Sequence, residues 1–267
     1  LDPLRLRAVH LAFALALAFL AYPGKRGPKD RVPLLDWALA LLGALGALYV
    51  VRDYYGITQL RGGIPSDRDV VMGTLTLLVL FVASWRVVGP ALPIIASVFI
   101  LYALTGPKGL IPYTLPSWLQ LHAGSQWGQL MGQLYTTAEG IWGVPLGVSA
   151  TFVFLFVLFG ALLEKAGAGH FFIQAAYALL GHFRGGPAKA AVVASALTGV
   201  VSGSSVSNTV TTGTFTIPLM KRVGYPPEKA GAVEVASSSN GQLMPPVMGA
   251  AAFIMAEFLN IPYSQLI

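Results

Sequence analysis

The sequence predicts an all-α polytopic membrane protein, and three observations carry that prediction. Of 267 residues, 55% are hydrophobic and 10% charged, with a mean hydropathy of +0.68, whereas soluble domains carry about 25% charged residues. Apolar runs approach the roughly 20 residues that cross a bilayer, and the basic residues gather in the loops between them. Two later runs are interrupted by clusters of Ser, Asn, Gly and Pro, which predicts a re-entrant helical hairpin and a broken helix.

Composition also excludes several functions. The net charge of +6 and pI near 9.6 do not indicate nucleic acid, because Lys and Arg in short loops act as topology signals. The chain has no cysteine, hence no disulfide or thiolate chemistry. No Walker-type loop, dinucleotide fingerprint or Cys/His cluster is present, so no cofactor is expected and ATP-driven pumping is unsupported. The first residue is Leu1 and no signal-peptide pattern follows, which suggests a piece of a longer protein.

Apolar segments fall at 9–22, 34–51, 70–85, 91–104 and 142–163. The first is short for a span and reads as a tilted helix whose Arg5 and Arg7 snorkel to the lipid interface. Gly89-Pro90 separates the third and fourth, since Pro blocks helix continuation and restricts the residue before it. From Thr105 to Gly143 the only charges are Lys108 and Glu139, while Tyr113, Trp118, Trp127, Tyr135 and Trp142 predict periplasmic amphipathic helices or a plain aromatic belt. Phe171 to Leu180 is too short to span and reads as an interfacial or arm helix. If the loop with Lys25, Arg26, Lys29 and Arg31 is cytoplasmic, alternation puts 11 basic residues inside and 6 outside. Both flanks of the hairpin at 188–219 are then cytoplasmic, and the N-terminus lies outside.

The hairpin turns at Ser202-Gly203-Ser204-Ser205-Val206-Ser207-Asn208-Thr209, and the apolar run 231–259 breaks at Ser237-Ser238-Ser239-Asn240-Gly241-Gln242, closed by Pro245-Pro246. Broken helices expose carbonyls on one side, which suit a cation, and N–H groups on the other, which suit an anion. Two breaks free of Lys, Arg, Asp and Glu therefore predict a neutral oxygen cage for Na⁺ beside a pocket for a negatively charged solute. Asn208 also suits the N-cap of the outgoing helix. A second reading is a non-transporting scaffold or assembly subunit whose small residues only allow close packing. A third is an intramembrane serine hydrolase, but His10, His122, His170 and His182 all sit at segment ends, away from Ser204 and Ser205. Glu234 and Glu257 are the acids nearest the break; an intramembrane acid is a proton-relay candidate, but positions near opposite surfaces favour solvated, snorkelled or capping roles for both.

These residues resemble a known family. Gly185-Gly186-Pro187-Ala188-Lys189, Ser202 to Asn208, Ile217-Pro218-Leu219-Met220-Lys221-Arg222-Val223-Gly224-Tyr225-Pro226-Pro227 and Ala236 to Pro246 resemble the large membrane subunit of tripartite ATP-independent periplasmic (TRAP) transporters. Gly143-Val144-Pro145-Leu146-Gly147-Val148-Ser149-Ala150-Thr151 and Phe159 to Lys165 are similar to the fused-permease branch served by TAXI-type binding proteins. The likeness covers 86–267, and 1–85 resembles loosely the small scaffold subunit, with its first helix missing.

The resemblance implies a multi-pass protein of a bacterial or archaeal inner membrane, in contact with lipid and not an enzyme. It implies half of an inverted-repeat, elevator-type secondary transporter that imports an organic anion from a periplasmic TAXI-type solute-binding protein on a Na⁺ or H⁺ gradient. It points to Ser204, Ser205, Asn208, Ser239 and Gly241 for Na⁺, and to Ser207, Asn208, Thr209, Asn240, Pro245 and Pro246 for the solute.

Overall fold

The computed structural model describes residues 2–24, 32–112, 116, 118 and 122–267; the basic loop of Lys25, Arg26, Lys29 and Arg31, and Tyr113, lie outside the described residues. The described residues are helical with no strand, as the composition requires. Four helical stretches, Pro3–Ala21, Leu34–Arg52, Asp67–Val87 and Val144–Lys165, are long and apolar enough to cross a membrane. The chain divides into two compact units, Leu1–Gly147 and Val148–Ile267.

The first unit holds α1 (Pro3–Ala21), α2 (Leu34–Arg52), α3 (Asp67–Val87), α4 (Ala91–Leu104) and a short α5 (Trp127–Met131) that passes into one π-helical turn, Gly132–Thr136. The first helix begins six residues before the apolar run, because Asp2 caps it, accepting from the Leu4 N–H at 2.9 Å, with Pro3 at its first position. Arg5 and Arg7 do not simply snorkel. Arg5 lies 4.3 Å from the Tyr54 ring centroid, and Arg7 donates to the Trp142 carbonyl at 2.7 Å. Ala8, Leu11, Leu15 and Phe19 of α1 pack with Ala40, Ala47 and Val50 of α2 and with Val79 of α3. Gly43 lets them close: a Cβ there would meet Val79 at 3.0 Å and Leu15 at 3.1 Å.

Several buried carboxylates in this unit are paired with groups distant in sequence. Asp36, 1% exposed, pairs with Arg86 at 2.5 Å and accepts from the Gly24 N–H at 2.8 Å. Ser66 and Asp69 form a capping box at the start of α3, and Asp69 also accepts from the Tyr49 hydroxyl and pairs with Arg61. Tyr135 and Trp142, expected at the membrane interface, are fully buried. Their polar ends find backbone carbonyls, Tyr135 Oη on Gly46 and Trp142 Nε1 on Tyr135, each at 2.6 Å, so the rings are core anchors. The amphipathic helices expected there reduce, among the described residues, to α5 and its π turn.

In the stretch Val144–Lys165, α6 (Val144–Val148) and α7 (Phe154–Lys165) flank a π-helical turn, Ser149–Val153. The second unit continues with α8 (Ala168–Leu180), α9 (Gly186–Ser202), α10 (Ser205–Arg222), α11 (Pro227–Ser238), a 3₁₀ turn Ser239–Gln242, α12 (Ala250–Leu259) and α13 (Tyr263–Leu266). The hairpin forms as expected but with longer arms of 17 and 18 residues, each about 26 Å. α8 seats Ile173 and Ala176 on Ala194 of α9. α11 packs on both arms through Ala191, Met220 and Ala230.

Candidate functional site

The hairpin turn is shorter than its polar composition suggested, and this decides where each candidate lies. Only Gly203 and Ser204 separate the arms. Gly203 has φ +60°, and a Cβ there would lie 2.6 Å from the Met248 carbonyl oxygen, so glycine is required on both counts. α10 therefore restarts at Ser205, with Ser204 as N-cap, its hydroxyl accepting from the Ser207 N–H at 3.3 Å. Asn208 is not the cap. It lies one turn inside the helix, on the face that meets α9.

There Asn208 is fully buried, and Nδ2 donates to the Ser195 carbonyl at 2.8 Å and the Ser195 hydroxyl at 2.9 Å. Its Oδ1 is enclosed with no hydrogen-bond partner. Such a group is costly unless something completes it. Gly241 of the 3₁₀ turn is beside it: a Cβ on Gly241 would lie 3.0 Å from the Ser204 carbonyl oxygen and 3.3 Å from Asn208 Cβ. Gly199 of α9 closes the third side, its Cβ direction meeting Gly241 Cα at 2.9 Å and the Asn240 carbonyl oxygen at 3.2 Å. Gln242 Nε2 donates to Ser205 Oγ at 3.2 Å and ties the break to the tip. The two polar interruptions, some 35 residues apart in sequence, thus meet through Ser204, Ser205 and Asn208 on one side and Gly241 and Gln242 on the other, with the Asn240 carbonyl against Gly199 of α9.

Other candidates diverge. Ser239 is exposed at the start of the 3₁₀ turn. Ser237 and Ser238 turn into the bundle, Ser237 Oγ donating to the Val233 carbonyl at 2.7 Å and Ser238 Oγ to Glu234 at 3.2 Å. Thr209 spends its hydroxyl on the Ser205 carbonyl at 2.9 Å. Pro245 and Pro246 are exposed, with a cis bond between them, and the Pro246 carbonyl accepts from Tyr263 Oη at 2.7 Å. Ser207 and Thr211, one turn apart, line a separate cavity of about 230 Å³ with Thr198 and Ser202 of α9, Glu164 of α7 and Phe172 of α8. Among the described residues, neither Ser204 nor Ser205 has a His, Lys, Asp or Glu as hydrogen-bond partner, so no base is placed for serine chemistry.

Glu234 is the largest departure from expectation. Instead of a solvated position it is completely buried among Thr212, Thr216 and Ser238. Its sequence neighbours are small and apolar, and only the period of α10, which puts Thr212 and Thr216 on one face with Asn208, could have signalled a hydroxylated surface waiting for it. Glu257 is exposed, as expected.

Comparison with known proteins completes this picture. Residues 75–267, more than half of the chain, match the family described as "Tripartite ATP-independent periplasmic transporter, DctM component". The C4-dicarboxylate TRAP transporter large permease protein DctM of Rhodobacter capsulatus is 37% identical over 91 residues, 34% of this chain and 21% of that protein. Its counterpart in Pseudomonas aeruginosa has the same identity and coverage. The ectoine TRAP transporter large permease protein TeaC of Halomonas elongata is 27% identical over 146 residues, 53% of this chain and 34% of the relative. The chain thus spans about a fifth to a third of the length of the curated relatives it matches. No solved structure matches it. With its several membrane-length helices, the chain is a multi-pass inner-membrane protein, and it belongs to the DctM family of TRAP transporter permeases, a family of transporters and not of enzymes.

Proposed function

We propose that the chain supplies half of the core of a secondary transporter permease that imports an organic acid delivered by a periplasmic solute-binding protein of the TAXI type. Na⁺ is the coupling ion. The observation that carries this reading is the buried, unpartnered Asn208 Oδ1 beside Gly241 and the Ser204 carbonyl. These are neutral oxygens at the junction of two helix ends, the donor set that a hard monovalent cation replaces its water with. Ser204, Ser205, Asn208 and Gly241 would hold the ion, with Ser239 at the margin. The first-turn N–H groups of α10 and Asn240 would meet a solute carboxylate; Ser207, which lines the separate cavity, Thr209, whose hydroxyl is held by the Ser205 carbonyl, and the exposed Pro245-Pro246 are assigned to the solute by the family resemblance alone. The core would carry both across the membrane in an elevator-type movement. The names of the relatives, C4-dicarboxylate and ectoine permeases, support a small organic acid as the solute.

The test is uptake of candidate organic acids into liposomes that contain the intact protein, with its binding protein outside and with or without an inward Na⁺ gradient. Uptake is expected to need both, and Asn208→Ala is expected to weaken the Na⁺ dependence at least tenfold. Uptake that follows a pH gradient and ignores Na⁺ would discard the cation cage, and no uptake of any acid would leave the scaffold reading.

A further inference from the structure

The burial of Glu234 calls for a chemical account. Its carboxyl meets three hydroxyls: Thr212 Oγ1 at Oε1, Thr216 Oγ1 at Oε2, and Ser238 Oγ, 3.2 Å from Oε1. No ion pair among the described residues includes it. The charged groups on the elements packed around it all point away: Lys189 of α9, Lys221 and Arg222 of α10, and Glu228 and Lys229 of α11 are exposed. From α8, exposed His170 sets its ring against Phe215, with centroids 6.1 Å apart, and Tyr177 directs its hydroxyl to the Pro187 carbonyl. Tyr225 packs in the turn between α10 and α11. A carboxylate here would be a lone buried anion, which is strongly unfavourable, whereas a neutral acid is not.

The hydroxyls can serve either form. Thr212 Oγ1 also lies 2.8 Å from the Asn208 carbonyl oxygen, and Thr216 Oγ1 3.0 Å from the Thr212 carbonyl oxygen. Each hydroxyl has one hydrogen and can accept as well as donate. With Glu234 ionised, all three hydroxyls turn their hydrogens to it. With Glu234 protonated, its own hydrogen goes to one threonine oxygen, and that threonine turns its hydrogen to the carbonyl one turn back. The exchange needs rotation about C–O bonds only, with no change of packing.

We propose that Glu234 is a reversible proton-binding site of the transport core, carrying its proton as the neutral acid in the enclosed arrangement and exchanging it with solvent. This deepens the transport reading and rests on it for one consequence only, that uptake depends on pH through Glu234. The site itself is read without transport. Infrared difference spectra of the intact protein in detergent, recorded across a pH series, are expected to contain the carbonyl stretch of a buried neutral acid. That band should vanish in Glu234→Gln and persist in Glu257→Gln. Glu234→Gln should fold with near-wild-type thermal stability, because the amide keeps the shape and the acceptor of the neutral acid and adds only one N–H donor, and in liposomes its uptake should lose the pH dependence of the wild type. Absence of the band at every pH, its persistence in Glu234→Gln, or failure of Glu234→Gln to fold where wild type does would each overturn the proposal. A band that behaves as expected in a protein that transports nothing would keep the proton site and refute the transport reading.

Discussion

Gly199→Ala tests whether the packing of the break against the hairpin builds the candidate site. A Cβ on Gly199 would stand 2.9 Å from Gly241 Cα, 3.1 Å from Gly241 N and 3.2 Å from the Asn240 carbonyl oxygen, where ordinary contact begins at 3.4 Å. All three are backbone atoms, so no side chain can rotate aside. α9 and the 3₁₀ turn must part by about half an ångström, and overpacking of this kind costs about 1–3 kcal/mol. If about half of that strain appears as displacement of Gly241 from Ser204 and Asn208, apparent Na⁺ affinity falls about two- to tenfold, the equivalent of about 0.5–1.4 kcal/mol. Gly231→Ala is the control: it lies in α11, where a Cβ meets nothing within 4 Å, so alanine should be neutral or stabilise by up to about 1 kcal/mol. The assay is thermal unfolding of the purified intact protein over a Na⁺ titration at constant ionic strength, in which Na⁺ raises the midpoint by mass action. Gly199→Ala should lower the Na⁺-free midpoint by several degrees and shift the titration to higher Na⁺, and Gly231→Ala should do neither. A Gly199→Ala protein with wild-type stability and Na⁺ response would refute the reasoning.

Two further outcomes concern the first unit. Arg86→Met should destabilise the protein by about 3 kcal/mol in chemical unfolding, because it strands the buried Asp36 carboxylate with only the Gly24 N–H; Asp36→Asn in the same background should recover part of the loss. Asp2 is held below the ordinary carboxylate range, first by the hydrogen bond from the Tyr54 hydroxyl. A depressed folded-state value stabilises the fold above the unfolded-state value, near pH 4, and that contribution fades as pH falls through the folded-state value. Tyr54→Phe should therefore lose stability at neutral pH and show a shallower loss on acidification than wild type, which a series of unfolding midpoints from pH 3 to pH 7 would measure.

What the sequence determined by itself is what depends on near neighbours along the chain. Apolar runs of membrane length must be helices, because backbone groups in lipid have no other partner. Clusters of Ser, Asn, Gly and Pro inside such runs must be turns or breaks, and Gly203 and Pro245-Pro246 mark them to within a few residues. The family resemblance was legible for the same reason, since its motifs are these breaks. The tertiary structure alone decided which faces meet. Asn208 reads equally as a cap or a ligand until Ser195, 13 residues earlier, takes its Nδ2 and leaves Oδ1 unpartnered. Tyr135 and Trp142 read as interfacial aromatics until carbonyls of Gly46 and Tyr135 take their polar ends. Glu234 reads as a surface acid until Thr212 and Thr216, on another helix, enclose it. A side chain's environment in each case is set by contacts distant in sequence, and a one-dimensional pattern of polarity records a residue's chemistry without recording what it will face.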